Sequence, residues 1–110
     1  MTALTDRTCK PLPRGTPALD PATTKTLLRE VGGAWAVRDG KLTTTVTFPD
    51  FAQALAFTNV VGALAEAEQH HPDLHLAWGK VRIELWTHSV GGLSENDFIL
   101  AAKIQKATAA

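Results

Sequence analysis

The chain has 110 residues, 45% hydrophobic and 20% charged, which fits one soluble domain with one modest core and leaves no room for a second. Lys plus Arg and Asp plus Glu both number 11, so the formal charge is zero, and a partner gripped mainly through phosphates, nucleic acid above all, is not expected. No apolar run is long enough to cross a bilayer, residues 1–10 lack the apolar core of a signal peptide, and a single cysteine, Cys9, rules out an intrachain disulfide; a cytoplasmic protein with a free thiol is expected.

Residues 1–19 hold three of the six prolines and little periodicity, and read as an irregular arm laid on a domain that takes in the whole of 1–110. Asp20-Pro21 is a helix start, an N-cap followed by a proline where a missing N–H costs nothing. Leu27, Leu28 and Val31 give that helix its buried side, and Gly32-Gly33 stops it. Trp35 to Arg38, the turn Asp39-Gly40 and Lys41 to Phe48 form a hairpin, because Asp-Gly suits a type I′ turn and Leu42, Thr44, Val46 and Phe48 alternate with polar neighbours. Asp50 with Gln53 resembles a capping box and opens a helix running to about His70. Its expected apolar stripe is Phe57, Val60, Val61 and Leu64, widened by Phe51 and Leu55, with Gly62 marking a close packing contact. Pro72 ends the helix. Leu74 to Trp78, a turn at Gly79 and Val81 to His88 make a second hairpin, and Ser94 caps a last helix containing Phe98, Leu100, Ala101 and Ile104.

The order helix, hairpin, helix, hairpin, helix predicts an α+β fold: a four-stranded antiparallel sheet with three helices packed on one face. The open sheet edges and the small core point to a homo-oligomer.

Chemistry concentrates in His70, His71, His75 and His88. A helix C-terminus favours a protonated imidazole, so His70 or His71 can serve as an acid near neutral pH; C-capping alone is the other reading of the pair. Pro72 pushes His71 toward an extended conformation, which lets both rings face one pocket. His88 is expected at a strand end beside Gly91-Gly92, with backbone groups open to a ligand. Zinc binding by three histidines is the alternative, but neither H-E-x-x-H nor a nearby cysteine is present. Glu66 lies one helical turn before His70, either orienting His70 or the ligand, or forming an ordinary surface pair. Asp97, three residues after Ser94, is a capping partner whatever else it does. His75 reads as a surface or packing residue. Trp35 reads as core, Trp86 as an interface or partly exposed residue, and Trp78 can stack on a flat heterocycle.

Glu66, then His70-His71-Pro72, Trp78, His88 and Asp97 stand at the spacing that resembles the signature of the pterin-4a-carbinolamine dehydratases. Gly79-Lys80-Val81 through His88 and Gly92 to Asp97 are similar to that family as well, and a weaker likeness reaches back through Asp39-Gly40 to Cys9. Leu74 stands where some members carry a tryptophan. The resemblance implies a dehydratase that removes water from a 4a-hydroxytetrahydropterin to give quinonoid dihydropterin, in tetrahydrobiopterin recycling, with no metal and no cofactor. It implies His70, His71 and His88 as catalytic. It also implies that Glu66, Pro72, Trp78, Thr87, Ser89, Val90 and Asp97 contribute to a pterin site. Dimers or tetramers are implied too. Two other roles occur on similar folds: an assembly chaperone, and a dimerisation cofactor for a transcription factor.

Overall fold

The computed structural model describes residues 3–108, so Met1 and Thr2 of the expected arm lie outside the described residues. Helix α1 spans Pro21–Val31, strand β1 Ala36–Arg38, β2 Lys41–Thr47, helix α2 Phe51–Glu68, β3 Asp73–Ala77, β4 Lys80–Leu85 and helix α3 Glu95–Thr108. The four strands form one antiparallel sheet in the order β1-β2-β4-β3. Three helices cover one face of it, as the alternation of the strands requires.

Local chemistry sets the elements. Asp20 accepts the Thr23 amide at 2.7 Å and Asp50 accepts the Gln53 amide at 2.8 Å, so both expected N-caps form. Asp39 and Gly40 both take positive φ, at 52° and 75°, the backbone that a type I′ turn demands. Leu42, Val81, Ile83 and Leu85 point inward and are fully buried, in one core cluster with Phe98, Leu100 and Ile104 of α3. Trp35 joins this core and donates its indole N–H to Gln105 at 3.0 Å.

Helix α2 departs from its expected stripe. Ala54, Phe57, Val61 and Ala65 face the core, while Phe51, Leu55 and Val60 are exposed. The helix is apolar nearly all round, so its sequence does not say which side is buried. Gly62 lies against open space rather than in the close contact expected of it.

The arm is tied down more firmly than its composition implies. Leu4, in a single 3₁₀ turn over Leu4–Asp6, is part of the core. The Cys9 amide donates to Glu68 Oε1 at 2.7 Å. Lys10 and Asn96 exchange two hydrogen bonds, at 2.9 and 2.8 Å. Arg7 pairs with Glu95 at 2.8 Å. Four arm contacts therefore land on the C-terminal end of α2 and the N-terminal end of α3, the two helix ends that carry His70 and Asp97.

Candidate active site

The α2 C-terminus turns more sharply than Pro72 alone requires. The helix ends at Glu68, and Gln69 adopts a left-handed conformation with φ 53°. That backbone costs a non-glycine residue roughly 1–2 kcal/mol. Gln69 offsets part of it by donating its side-chain amide to Glu66 O at 2.7 Å. The His70 amide then reaches back to Ala65 O at 3.2 Å, a second donor on a carbonyl that already accepts from the Gln69 amide. This reversal turns His70 toward α3 instead of onward along the helix.

His70 meets Asp97 there. His70 Nε2 lies 2.6 Å from Asp97 Oδ1, with the histidine side chain 12% exposed and the aspartate 0%. A carboxylate only accepts, so Nε2 carries the proton and Nδ1 is left as the exchangeable nitrogen when the ring is neutral. Asp97 Oδ2 accepts from the Thr87 hydroxyl and from the Ser94 amide, both at 2.9 Å. Thr87 Oγ1 and Ser94 Oγ are 2.7 Å apart. The capping partnership with Ser94 thus exists, and Asp97 has a second engagement that spacing alone did not reveal.

His71 is exposed and its Nε2 contacts Glu66 Oε2 at short range. Glu66 therefore partners His71 rather than His70, because the left-handed Gln69 breaks the helical spacing between Glu66 and His70. His75 contacts Glu84 Oε1 at 3.2 Å on the outer face of the sheet.

His88 is not on a strand, contrary to expectation. Strand β4 stops at Leu85, and His88–Val90 form a one-turn 3₁₀ helix closed by Gly91 at φ 67°. Thr87 bridges to Gly92, its amide donating to Gly92 O at 2.8 Å. The Val90 and Gly91 amides donate to Thr87 O and His88 O, so those two donors are spent inside the loop. Thr87 is buried, Ser89 exposed and Val90 half-buried. The His88 ring packs on Trp86, with centroids 4.9 Å apart.

Sheet register gathers these groups. Asp73 pairs with Glu84 and Leu42 with Leu85, so the start of β3, the end of β4 and the β1–β2 turn share one end of the sheet. His70, His71, Pro72 and His88 all stand at that end. Trp78 does not. It sits exposed in the β3–β4 turn, and from there β4 runs about 20 Å to the histidine end at roughly 3.3 Å per residue.

Two features had no strong sequence signal. Glu68 and Lys103, 2.5 Å apart and largely buried, anchor the arm beside the site. Burial resists ionisation of Glu68, but its hydrogen bonds from Lys103 and the Cys9 amide prevail and hold its carboxyl below the usual range. Burial, and then the Glu68 carboxylate, push the Cys9 thiol up to about 12. Among the described residues no group of three or more His, Cys, Asp or Glu side chains is arranged to hold a metal ion.

The family model described as pterin 4 alpha carbinolamine dehydratase matches residues 17–107. The chain belongs to the pterin-4-alpha-carbinolamine dehydratase family. It is 45% identical over 106 residues to a provisionally named dehydratase of this kind from Rickettsia canadensis (strain McKiel), covering 96% of this chain and 97% of that one. A similarly named protein of Alkaliphilus metalliredigens (strain QYMF) is 45% identical over 107 residues, covering 96% of each. Among solved structures, a transcriptional coactivator/pterin dehydratase from Brucella melitensis superposes with a TM-score of 0.76 at 32% identity, over 84% of this chain and 99% of that chain. A pterin dehydratase-like protein described as a RuBisCO assembly factor in the alpha-carboxysome shares the fold, with a TM-score of 0.58 at 24% identity over 69% of this chain and 90% of that chain. Of the His-His-Pro run, His70 meets the distant Asp97 in space, while His71 meets Glu66.

Proposed function

We propose that this chain is a working dehydratase that eliminates water from a 4a-hydroxytetrahydropterin, with His70, His71 and His88 exchanging the protons. The observation that carries the reading is the buried Asp97 holding the Nε2 edge of His70. Capping α3 occupies only Asp97 Oδ2, and a fold kept only for assembly or docking has no use for a histidine held on Oδ1.

The reaction needs one proton delivered and one removed. A proton reaches the 4a-hydroxyl, the C4a–O bond breaks, and water leaves. The N5 proton is taken by a base, and the nitrogen lone pair forms the new double bond of the quinonoid product. Imidazole can do both tasks near neutral pH, and a positioned acid or base typically supplies about 10²–10⁴-fold. Asp97 orients His70 and stabilises it while it carries two protons, as a buried carboxylate does for a catalytic histidine elsewhere. Glu66 stands in the same relation to the exposed His71. Pro72, Thr87, Ser89 and Val90 flank these rings and would border the bound pterin. Trp78 would need a second chain to reach them. The product placed in context is a quinonoid dihydropterin ready for reduction, the recycling role implied by the family, in the cytoplasm and with no nucleic-acid partner.

Purified protein added to a freshly generated 4a-hydroxytetrahydropterin tests this directly. Faster loss of the hydroxypterin absorbance, first-order in protein, is expected. A rate equal to that of buffer alone would remove the proposal.

A further inference from the structure

His70, His71 and His75 each contact a carboxylate: Asp97, Glu66 and Glu84 respectively. His88 differs. It is exposed, it stands in a one-turn 3₁₀ loop, and its ring packs on Trp86, at a centroid distance of 4.9 Å and an interplanar angle of 59°. An exposed ring on a short turn has free rotamers unless something packs on it.

Trp86 is itself held. Lys41 Nζ lies 4.5 Å from the centroid of a Trp86 ring. The β2–β4 register explains why. Leu42 pairs with Leu85, so one step further Lys41 comes opposite Trp86, on the outer face of the sheet. That face is lined by polar side chains such as Thr43, Arg82 and Glu84, and Trp86 is half-buried there, part of it packed against the core and part left for Lys41 and His88. A cation over an indole is attracted to it by the ring quadrupole.

We infer that Trp86, braced by Lys41, is the positioning residue for His88: it sets the imidazole's orientation through a tilted ring–ring contact and leaves both ring nitrogens free for substrate. The role assigned to His88 as a proton carrier rests on the dehydratase reading above, whereas the positioning itself does not. Asp97 holds His70 through a hydrogen bond and so commits one nitrogen. An aromatic wall holds a histidine without committing either, which suits a group that must both gain and lose a proton in each turnover.

The test has two arms. In the first, ring-proton NMR signals of His88, assigned by their disappearance in His88→Asn, are compared in wild type, Trp86→Leu, Trp86→Phe and Lys41→Met, with far-UV circular dichroism checking each fold. The indole ring current should displace the His88 signals in wild type. Trp86→Leu should move them toward free-imidazole positions while the His75 signals stay in place, and Lys41→Met should move them part of the way. In the second arm, Trp86→Leu should lower kcat by about tenfold with KM changed far less, and Trp86→Phe should restore most of the loss. In a His88→Asn background, Trp86→Leu should cost little more. Unmoved His88 signals in Trp86→Leu and Lys41→Met, or an equal loss with and without His88, would overturn the inference. A protein with no dehydratase activity but with displaced His88 signals would defeat the functional reading and leave the positioning intact.

Discussion

His70 Nε2 and Asp97 Oδ1 are 2.6 Å apart across 27 residues of sequence, and the other oxygen of Asp97 is already taken by Thr87 and Ser94. Every lone-pair direction that matters on this buried carboxylate has a donor pointing at it. Asp97→Asn replaces one oxygen by an NH₂ that must face one of those donors. Either His70 loses its partner and can turn to the other tautomer, or Thr87 and Ser94 lose theirs. Activity is expected to fall about 10²-fold or more, and stability by about 1–3 kcal/mol. Steady-state kinetics and urea denaturation on the same preparation check both. Full activity in Asp97→Asn would mean that the His70–Asp97 contact is a helix-cap feature only.

A second prediction concerns the arm. Glu68 accepts from Lys103 and from the Cys9 amide, and these partners hold its carboxyl below the ordinary value of 4.5 despite its burial. A depressed folded-state value stabilises the native state above the unfolded value, and the contribution is lost as pH falls through the folded one. Glu68→Gln should therefore lower stability at pH 7 by roughly 1–3 kcal/mol, between exposed and buried ion pairs. The gap from wild type should close as pH drops below 4.5. Denaturant midpoints measured across that range give the answer, and a gap independent of pH would rule out the ion pair as its cause.

Both hairpins and all three helices were legible because their signals are local. Asp39-Gly40 needs only its own φ preferences, and the alternation from Leu42 to Val46 needs only the pleat. Helix α2 was legible as a helix but not in orientation, since Phe51, Leu55 and Val60 look as apolar as Phe57 and Val61. The end of β4 was hidden because polar and apolar residues keep alternating through Trp86-Thr87-His88, while the Thr87–Gly92 bridge that stops the strand depends on Gly91 turning left-handed. In the site, spacing marked Asp97 only as a cap for Ser94; the family resemblance put it with the histidines, and its partner among them could not be read. Glu66 was matched to His70 on helical spacing. The left-handed Gln69, an unusual residue for that conformation, hands it to His71 instead.

Cys9 makes a third prediction. Its thiol is half-buried, bonds Asn96 O at 3.4 Å and sits beside the Glu68 carboxylate. With its pKa pushed up to about 12, almost no thiolate exists at pH 8 in the native state. Reaction with a disulfide reagent should be roughly a hundredfold slower than in denaturant. Glu68→Gln should speed it. The same shift means that alkali destabilises the fold once pH rises past the thiol's ordinary value, 9.0, because the unfolded chain then loses a proton that the native state keeps. Rapid labelling of native protein would contradict the burial of the thiol.

A homo-oligomer is the fourth expectation. Strands β1 and β3 are the two edges of the sheet, and Phe51, Leu55 and Val60 leave an apolar surface on α2. Light scattering at micromolar concentration should report a multiple of 11.8 kDa. Leu55→Lys with Val60→Lys tests the helix surface and should shift the mass downward if α2 contributes. A single 11.8 kDa species for the unaltered chain would refute the oligomer.

The last prediction treats the histidines as a set. Replacing His70, His71 or His88 by Ala should each lower kcat/KM for the hydroxypterin. The three changes act on one proton-transfer sequence, so double replacements should cost less than the product of the single ones. His75 provides the control. It lies in β3, on the outer face, with its ring on Glu84, and its neighbours in the sheet are Arg82 and Glu84 rather than Asp97 or Trp86. His75→Ala should leave kcat/KM within about twofold and stability within ~0.5 kcal/mol, as expected of an exposed pair. His70→Ala is the variant most exposed to a confounding fold effect, since it also strands the buried Asp97, so it is paired with His70→Asn, which can keep a donor toward Oδ1 while lacking a titratable ring. Loss of activity in His70→Asn with an unchanged denaturation midpoint assigns the effect to proton transfer. Equal damage from His75→Ala, or full activity in all three site variants, would place the chemistry elsewhere on the chain.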